Sequence, residues 1–161
     1  MLFRIRNKTT RIGQAMQNVM TQKKRVLILC TGNSARSQMG EGLLRELGKG
    51  EFVVESAGVA PSAVRPEAVE AMSEVGIDIS NHRSKSVDEF AGQTFDYIIT
   101  VCDNAKETCP VFSGNATRIH QSFTDPPPET SGDYQSRLKV FRAVRDQLRD
   151  WLTGFVEKYK T

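Results

Sequence analysis

The sequence predicts one α/β domain, a three-layer sandwich in which a four-stranded parallel sheet carries helices on both faces. Three observations predict it. Val26-Leu27-Ile28-Leu29-Cys30 is an unbroken apolar run, the pattern of a strand buried on both faces. Strand-like and helix-like stretches then alternate along the chain, which calls for parallel pairing through helical crossovers. The 161 residues suffice for one domain with a hydrophobic core.

Each element has its own signature. Residues 25–30 make the first strand, and a helix from Ser37 to Leu47 follows with Met39, Leu43, Leu44 and Leu47 on one face. Gly48 and Gly50 end it. Phe52–Ala57 is the second strand, and Gly58 to Arg65 is a loop. Pro66 opens a helix over 66–75 that turns Val69, Met72 and Val75 inward, with Gly76 as its stop. Asp78 to Ser86 is polar and irregular, and Val87–Ala91 is a short helix. Phe95–Val101 is the third strand, ending in Cys102 as the first ends in Cys30. Asp103 to Cys109 reads as a polar, mobile stretch closed by Pro110, and Ala116–His120 as a short fourth strand. Thr124-Asp125-Pro126-Pro127-Pro128 is neither helix nor inner strand, because proline donates no N–H. A last amphipathic helix spans Gly132–Lys160, with Leu138, Phe141, Val144, Leu148, Trp151, Leu152 and Phe155 as its apolar stripe.

Composition bounds the function. The net charge of +3 is misleading, since residues 1–25 hold seven of the 22 basic residues and no acidic ones. The rest carries 15 basic against 19 acidic residues, a net of −4, which does not describe a nucleic-acid surface. Residues 1–24 form a basic extension, expected to be disordered and without a function of its own, and residues 25–161 form the domain. No apolar run approaches a membrane span. Three cysteines at these spacings fit neither a zinc site nor a disulfide scaffold. With no secretory signal, they place the protein in a reducing cytoplasm with thiols kept for chemistry. His82 and His120 are not in metal-ligand spacing, and no metal or cofactor is expected.

The chemistry concentrates at Cys30-Thr31-Gly32-Asn33-Ser34-Ala35-Arg36-Ser37, where a strand hands over to a helix. A thiol becomes a nucleophile when its thiolate is stabilised at a helix N-terminus or beside a fixed cation. The backbone N–H groups of residues 31–36 can curl into an anion-binding nest, and the following helix points its positive end the same way. Gly32 and Asn33 tolerate the left-handed backbone that such a loop needs. Arg36 supplies a planar fork for two oxygens, and Ser37 a hydroxyl for the Cys30 sulfur. No Gly-Lys-Ser/Thr follows, so this is not the phosphate loop of nucleotide hydrolases. In a parallel α/β fold function lies at the carboxyl ends of strands, where Cys30 and Cys102 both fall. If their strands are neighbours, both sulfurs open onto one cleft.

This loop resembles the phosphate loop of the low-molecular-weight protein tyrosine phosphatase superfamily. Ser56-Ala57-Gly58, Asn81-His82 and Asp125-Pro126 fall where that fold has similar segments. Cys102 and Cys109 lie outside the phosphatase pattern and resemble the redox cysteines of the thioredoxin-coupled arsenate reductases, which share the fold. The resemblance covers residues 25–155. It implies that Cys30 attacks arsenate held by the loop and Arg36, that Asp125 is the general acid, and that Cys102 and Cys109 complete a thiol relay reopened by thioredoxin. A monomer is expected. Ala35 stands where many such reductases carry a further cysteine. Some members bind potassium near the loop. Asn33, Glu41 and Ser56 match that site, but Lys85 occupies the expected aspartate position, which implies a potassium-independent enzyme. The alternative is a protein phosphatase acting on phosphotyrosine or another phosphorylated residue, although Pro127 and Pro128 follow where a tyrosine usually does. A third reading is a non-catalytic oxyanion or redox sensor.

Overall fold

The first strand, β1, runs Lys24–Cys30, and its last five residues are all buried, as a strand covered on both faces requires. It pairs in parallel with β2 (Phe52–Gly58) on one side and β3 (Tyr97–Thr100) on the other. Strand β4 (Thr117–His120) adds to β3, also in parallel, which gives the order β2-β1-β3-β4. Among the described residues, four α-helices occupy the connections and the C-terminal stretch: α1 (Arg36–Leu47), α2 (Pro66–Ser73), α3 (Asp103–Thr108) and α4 (Tyr134–Tyr159). A 3-10 turn lies at Val87–Phe90. The computed structural model describes residues 23–110 and 112–160; the expectation for residues 1–22 of the basic extension lies outside these.

Side-chain alternation along β1 assigns the layers. Val26 and Ile28 face α1 and α4. Gly40 of α1 backs onto Ile28, where an added Cβ would come within 3.3 Å of the isoleucine side chain. Phe155 of α4 packs on Phe52 and Tyr97, with ring centroids 5.7 and 5.3 Å away. Helix α2 packs on α4 from outside the sheet. Leu27 and Leu29 face the opposite layer, with Arg25. The Arg25 guanidinium lies 4.6 Å from the Phe95 ring centroid, and Phe95 meets Phe90 and Phe112 edge-on. That layer is the 3-10 turn, this aromatic cluster and α3. The α4 stripe buries Leu138, Phe141, Val144, Leu148, Leu152 and Phe155, each worth about 1.5–3 kcal/mol of transfer free energy.

One stretch has structure that its sequence did not announce. Asp103–Thr108, expected only to be polar and mobile, is a helix. The Cys102 sulfur caps it by accepting the Ala105 N–H at 3.4 Å, and Thr108 bonds back to the Asn104 carbonyl at 2.7 Å. Only Ala105 of its six residues is buried, so it leaves no apolar period to read. The third strand is also shorter than expected, because the Asp96 carboxylate takes the Arg25 N–H at 2.7 Å in place of a ladder bond.

Candidate active site

The loop leaves β1 at Cys30 and enters α1 at Arg36. Its left-handed residue is Asn33, with φ of 47°, and not Gly32. A second glycine matters more. An added Cβ on Gly58, at the end of β2, would lie 2.5 Å from the Thr31 carbonyl oxygen and 2.9 Å from the Asn33 nitrogen. No side chain fits there, which explains the glycine in Ser56-Ala57-Gly58.

Asn33 is fully buried and organises the site. Its carboxamide oxygen accepts from Gln38 Nε2 at 2.8 Å and the Lys85 N–H at 2.9 Å. Its Nδ2 therefore points the other way, donating to Ser37 Oγ at 2.8 Å and Ser56 Oγ at 2.9 Å. Ser37 Oγ thus receives a hydrogen from Asn33 and has its own to give to Cys30 Sγ, 2.8 Å away. The Asn33 backbone N–H reaches the same sulfur at 3.1 Å. Burial pushes the Cys30 thiol up, and Cys102 adds to that; the hydrogen bonds from Ser37 and Asn33 pull against them. The balance is a raised value, and a thiolate formed there has two donors already in place.

Above the sulfur is a cavity of about 240 Å³, lined by Cys30, Thr31, Gly32, Ser34, Ala35, Arg36, Arg65, Asp125 and Pro126. Two guanidinium groups in its wall, Arg36 and Arg65, suit it to an oxyanion. Arg36 Nη2 meets Asp125 Oδ1 at 3.2 Å, and its Nη1 donates to the Phe123 carbonyl at 3.1 Å. The expected loop residues divide into two sets. Thr31, Gly32, Ser34, Ala35 and Arg36 line the cavity, whereas Asn33 and Ser37 lie behind it against the sulfur.

Strands β1 and β3 are neighbours, so the two cysteines come to the same end of the sheet. Thr31 Oγ1 lies 3.4 Å from Cys102 Sγ and accepts from Asn104 Nδ2 at 3.0 Å, leaving its hydroxyl hydrogen for the sulfur. Cys109 sits beyond the far end of α3, where Arg118 Nη1 reaches its sulfur at 3.1 Å. All three cysteines are free thiols. Among the described residues, no group of three or more His, Cys, Asp or Glu is placed to hold a metal, and no helix is long and apolar enough to cross a membrane.

Behind the loop lies a buried charge cluster. Glu41 is only 1% exposed, and its carboxylate meets Lys85 Nζ at 3.3 Å, His82 Nδ1 at 2.9 Å and Arg45 Nη1 at 3.5 Å. Ser56 Oγ donates to it at 3.3 Å. His82 Nδ1 also lies 3.0 Å from Gln38 Oε1; both neighbours are acceptors, so Nδ1 carries the proton. His82 thus buttresses the loop, while Asn81 beside it is exposed. Burial alone pushes the Glu41 carboxyl up, but the His82 hydrogen bond and the Lys85 and Arg45 charges outweigh it and hold it below its ordinary 4.5. A depressed carboxyl stabilises the fold fully above its unfolded value and loses that contribution as pH falls through the folded value. Urea midpoints should therefore show Glu41→Gln less stable than wild type at neutral pH, with the gap narrowing below about pH 4.5. A gap independent of pH would contradict this.

Arg65 is the site residue that motif reading misses. It contributes a second guanidinium to the cavity wall, yet the only signal in the sequence is an arginine before the proline that opens a helix.

With this geometry in view, the chain belongs to the low molecular weight phosphotyrosine protein phosphatase family, whose profile matches residues 25–161. Within it, the similarity extends to proteins named for a redox reaction. The chain is 41% identical over 138 residues to the arsenate reductase of Halalkalibacterium halodurans, covering 86% of this chain and 99% of that one. A solved arsenate reductase in the phosphate binding state matches with a TM-score of 0.63 at 34% identity, over 84% of this chain and 98% of that one. The low molecular weight protein tyrosine phosphatase from T. tengcongensis matches with a TM-score of 0.67 at 26% identity, over 84% and 99%.

Proposed function

We propose that this protein reduces arsenate to arsenite by a three-thiol relay that thioredoxin regenerates. The observation that carries the reading is the second thiol at the site: Cys102 lies two residues past the end of β3, the strand beside β1, with its sulfur 3.4 Å from the hydroxyl of Thr31, the residue after Cys30. A phosphatase has no use for it.

Atoms and electrons balance in each step. The Cys30 thiol and the singly charged arsenate anion form a sulfur–arsenic bond and release water. The loop amides and Arg36 hold the remaining oxygens, and Asp125 delivers the proton to the departing one. Arsenic is still pentavalent. The Cys102 thiol, losing its proton, then attacks Cys30 Sγ; the sulfur–arsenic bond breaks and its electron pair stays on arsenic. Arsenite, now trivalent, takes up that proton and leaves as a singly charged anion, and a Cys30–Cys102 disulfide remains. Cys109 attacks Cys102, freeing Cys30 and forming a Cys102–Cys109 disulfide, which a dithiol such as thioredoxin opens by exchange.

The last transfer requires α3 to unwind. Cys102 and Cys109 flank the helix at either end. Seven residues at helical rise span about 10 Å, whereas a disulfide needs Cα atoms within about 7 Å. With Ala105 as its one buried residue, α3 has little packing to lose.

The protein is proposed to act as a cytoplasmic monomer, where thioredoxin keeps the relay reduced. The test is NADPH oxidation with arsenate, thioredoxin and thioredoxin reductase. Turnover that requires all four components supports the reading, and turnover without thioredoxin, or none, contradicts it. The Lys85 ammonium, 3.3 Å from the Glu41 carboxylate, supports the reading that it stands in for a bound cation. Replacing sodium by potassium at equal ionic strength should therefore leave kcat/KM within about 1.5-fold, since no desolvated potassium contact is available to gain; a several-fold rise would refute this. Slow hydrolysis of small aryl phosphates is expected as a side activity, because Cys30, Arg36 and Asp125 serve that reaction unchanged.

A further inference from the structure

We infer that Arg65 is a positioning residue which, paired with Arg36, fixes Asp125 over the Cys30 sulfur. The inference rests on the reading of Asp125 as the general acid.

The segment carrying Asp125 is anchored by Phe123, buried against Trp151 with ring centroids 6.1 Å apart, and by the buried Pro126, but few backbone hydrogen bonds hold it. Pro126, Pro127 and Pro128 offer no N–H donors. Among the described residues, the last backbone bond tying the segment to the sheet is the Phe123 N–H to the Val101 carbonyl at 3.2 Å, and the next, Ser131 to Pro128, is internal to it. Asp125 itself is 81% exposed at its side chain, so packing of that side chain does not orient it. The ion pair to Arg36 at 3.2 Å and two guanidinium-to-carbonyl bonds do. Arg36 Nη1 holds the Phe123 carbonyl and Arg65 Nη1 holds the Pro127 carbonyl, each at 3.1 Å. Asp125 stands midway, two residues from each.

Arg65 is itself rigid. Its Nη2 pairs with the buried Glu67, which Arg137 Nε also grips at 3.2 Å. Its guanidinium lies 5.0 Å from the Phe141 ring centroid, and its side chain is 14% exposed. Its Nε has no hydrogen-bond partner and lies 3.5 Å from the Glu129 carboxylate, still within the same segment. Arg65 therefore transmits the fixed position of α2 and α4 to the far side of Asp125. Arg36, bound to the oxyanion during reaction, is then free to move without releasing the acid.

A general acid matters most when the leaving group is poor, which gives a readout that a merely structural role would not move. Asp125→Asn, Arg65→Gln, Arg65→Lys and the Arg65→Gln/Asp125→Asn double variant are compared on phenyl phosphate and p-nitrophenyl phosphate, with melting curves for each. Arg65→Lys retains a cation for Glu67 if the glutamine variant fails to fold. Arg65→Gln is expected to lower kcat on phenyl phosphate roughly 30-fold but on p-nitrophenyl phosphate less than about 3-fold, with KM little changed, and Arg65→Lys to fall between. In the Asp125→Asn background Arg65→Gln should cost nothing further. Equal losses on both substrates, or losses that multiply in the double variant, overturn the clamp while leaving Asp125 as the acid. If Asp125→Asn itself does not discriminate between the substrates, or wild type hydrolyses neither, the assignment of Asp125 falls and the clamp with it.

Discussion

Cys30→Ser is expected to abolish arsenate reduction, by roughly 10⁴-fold or more, without unfolding the protein. The serine hydroxyl is nearly isosteric and keeps its place against Ser37 Oγ, 2.8 Å away, and the Asn33 N–H. What it lacks is chemistry. An alkoxide is far less accessible than a thiolate at neutral pH, and oxygen cannot enter the disulfide that forms as the thiol pair gives up two electrons. The loop should still hold an oxyanion through Arg36 and its amides. Phosphate binding by calorimetry within a few fold of wild type, beside absent turnover, is the expected pair of results. Residual reduction above about one per cent of wild type would show that another thiol starts the reaction.

Cys109→Ser is expected to separate the first turnover from all later ones. Cys30 and Cys102 lie at adjacent strand ends and complete the reduction between them, so the first arsenite should appear within about 3-fold of the wild-type rate. The protein then stalls as the Cys30–Cys102 disulfide, and steady-state turnover with thioredoxin should drop by roughly 100-fold or more. Rapid-quench arsenite measurement gives the first rate, and NADPH oxidation the second. A variant that cycles normally would remove Cys109 from the relay. In wild type, the Cys102–Cys109 state should lose the protection of the α3 amides against hydrogen exchange, because that disulfide cannot span an intact helix.

The parts legible in the sequence were those that repeat or that chemistry constrains. The β1 run and the α4 stripe show period and burial directly, and both stand as expected. Cys30 through Ser37 reads as a cradle because the thiol, the flexible residues and the arginine fall at one strand-to-helix junction. Even there, the sequence left open which residue takes the left-handed backbone; the buried hydrogen bonds of Asn33 decide it. Helix α3 was illegible because one buried alanine makes no pattern and its cap is a cysteine sulfur, which propensity rules do not weigh. Arg65 was illegible for a different reason. Its partners, Glu67 nearby and Pro127 far along the chain, meet only in three dimensions, and nothing in an arginine before a proline points to the second of them.

The most direct test of the relay is a single-turnover experiment without reductant. Reduced protein is mixed with excess arsenate, quenched in acid, and analysed for arsenite and for disulfide-linked peptides. The relay predicts one arsenite per chain, a Cys102–Cys109 disulfide, and a free thiol at Cys30. No arsenite, or a final state in which Cys30 remains oxidised and Cys109 free, would contradict it.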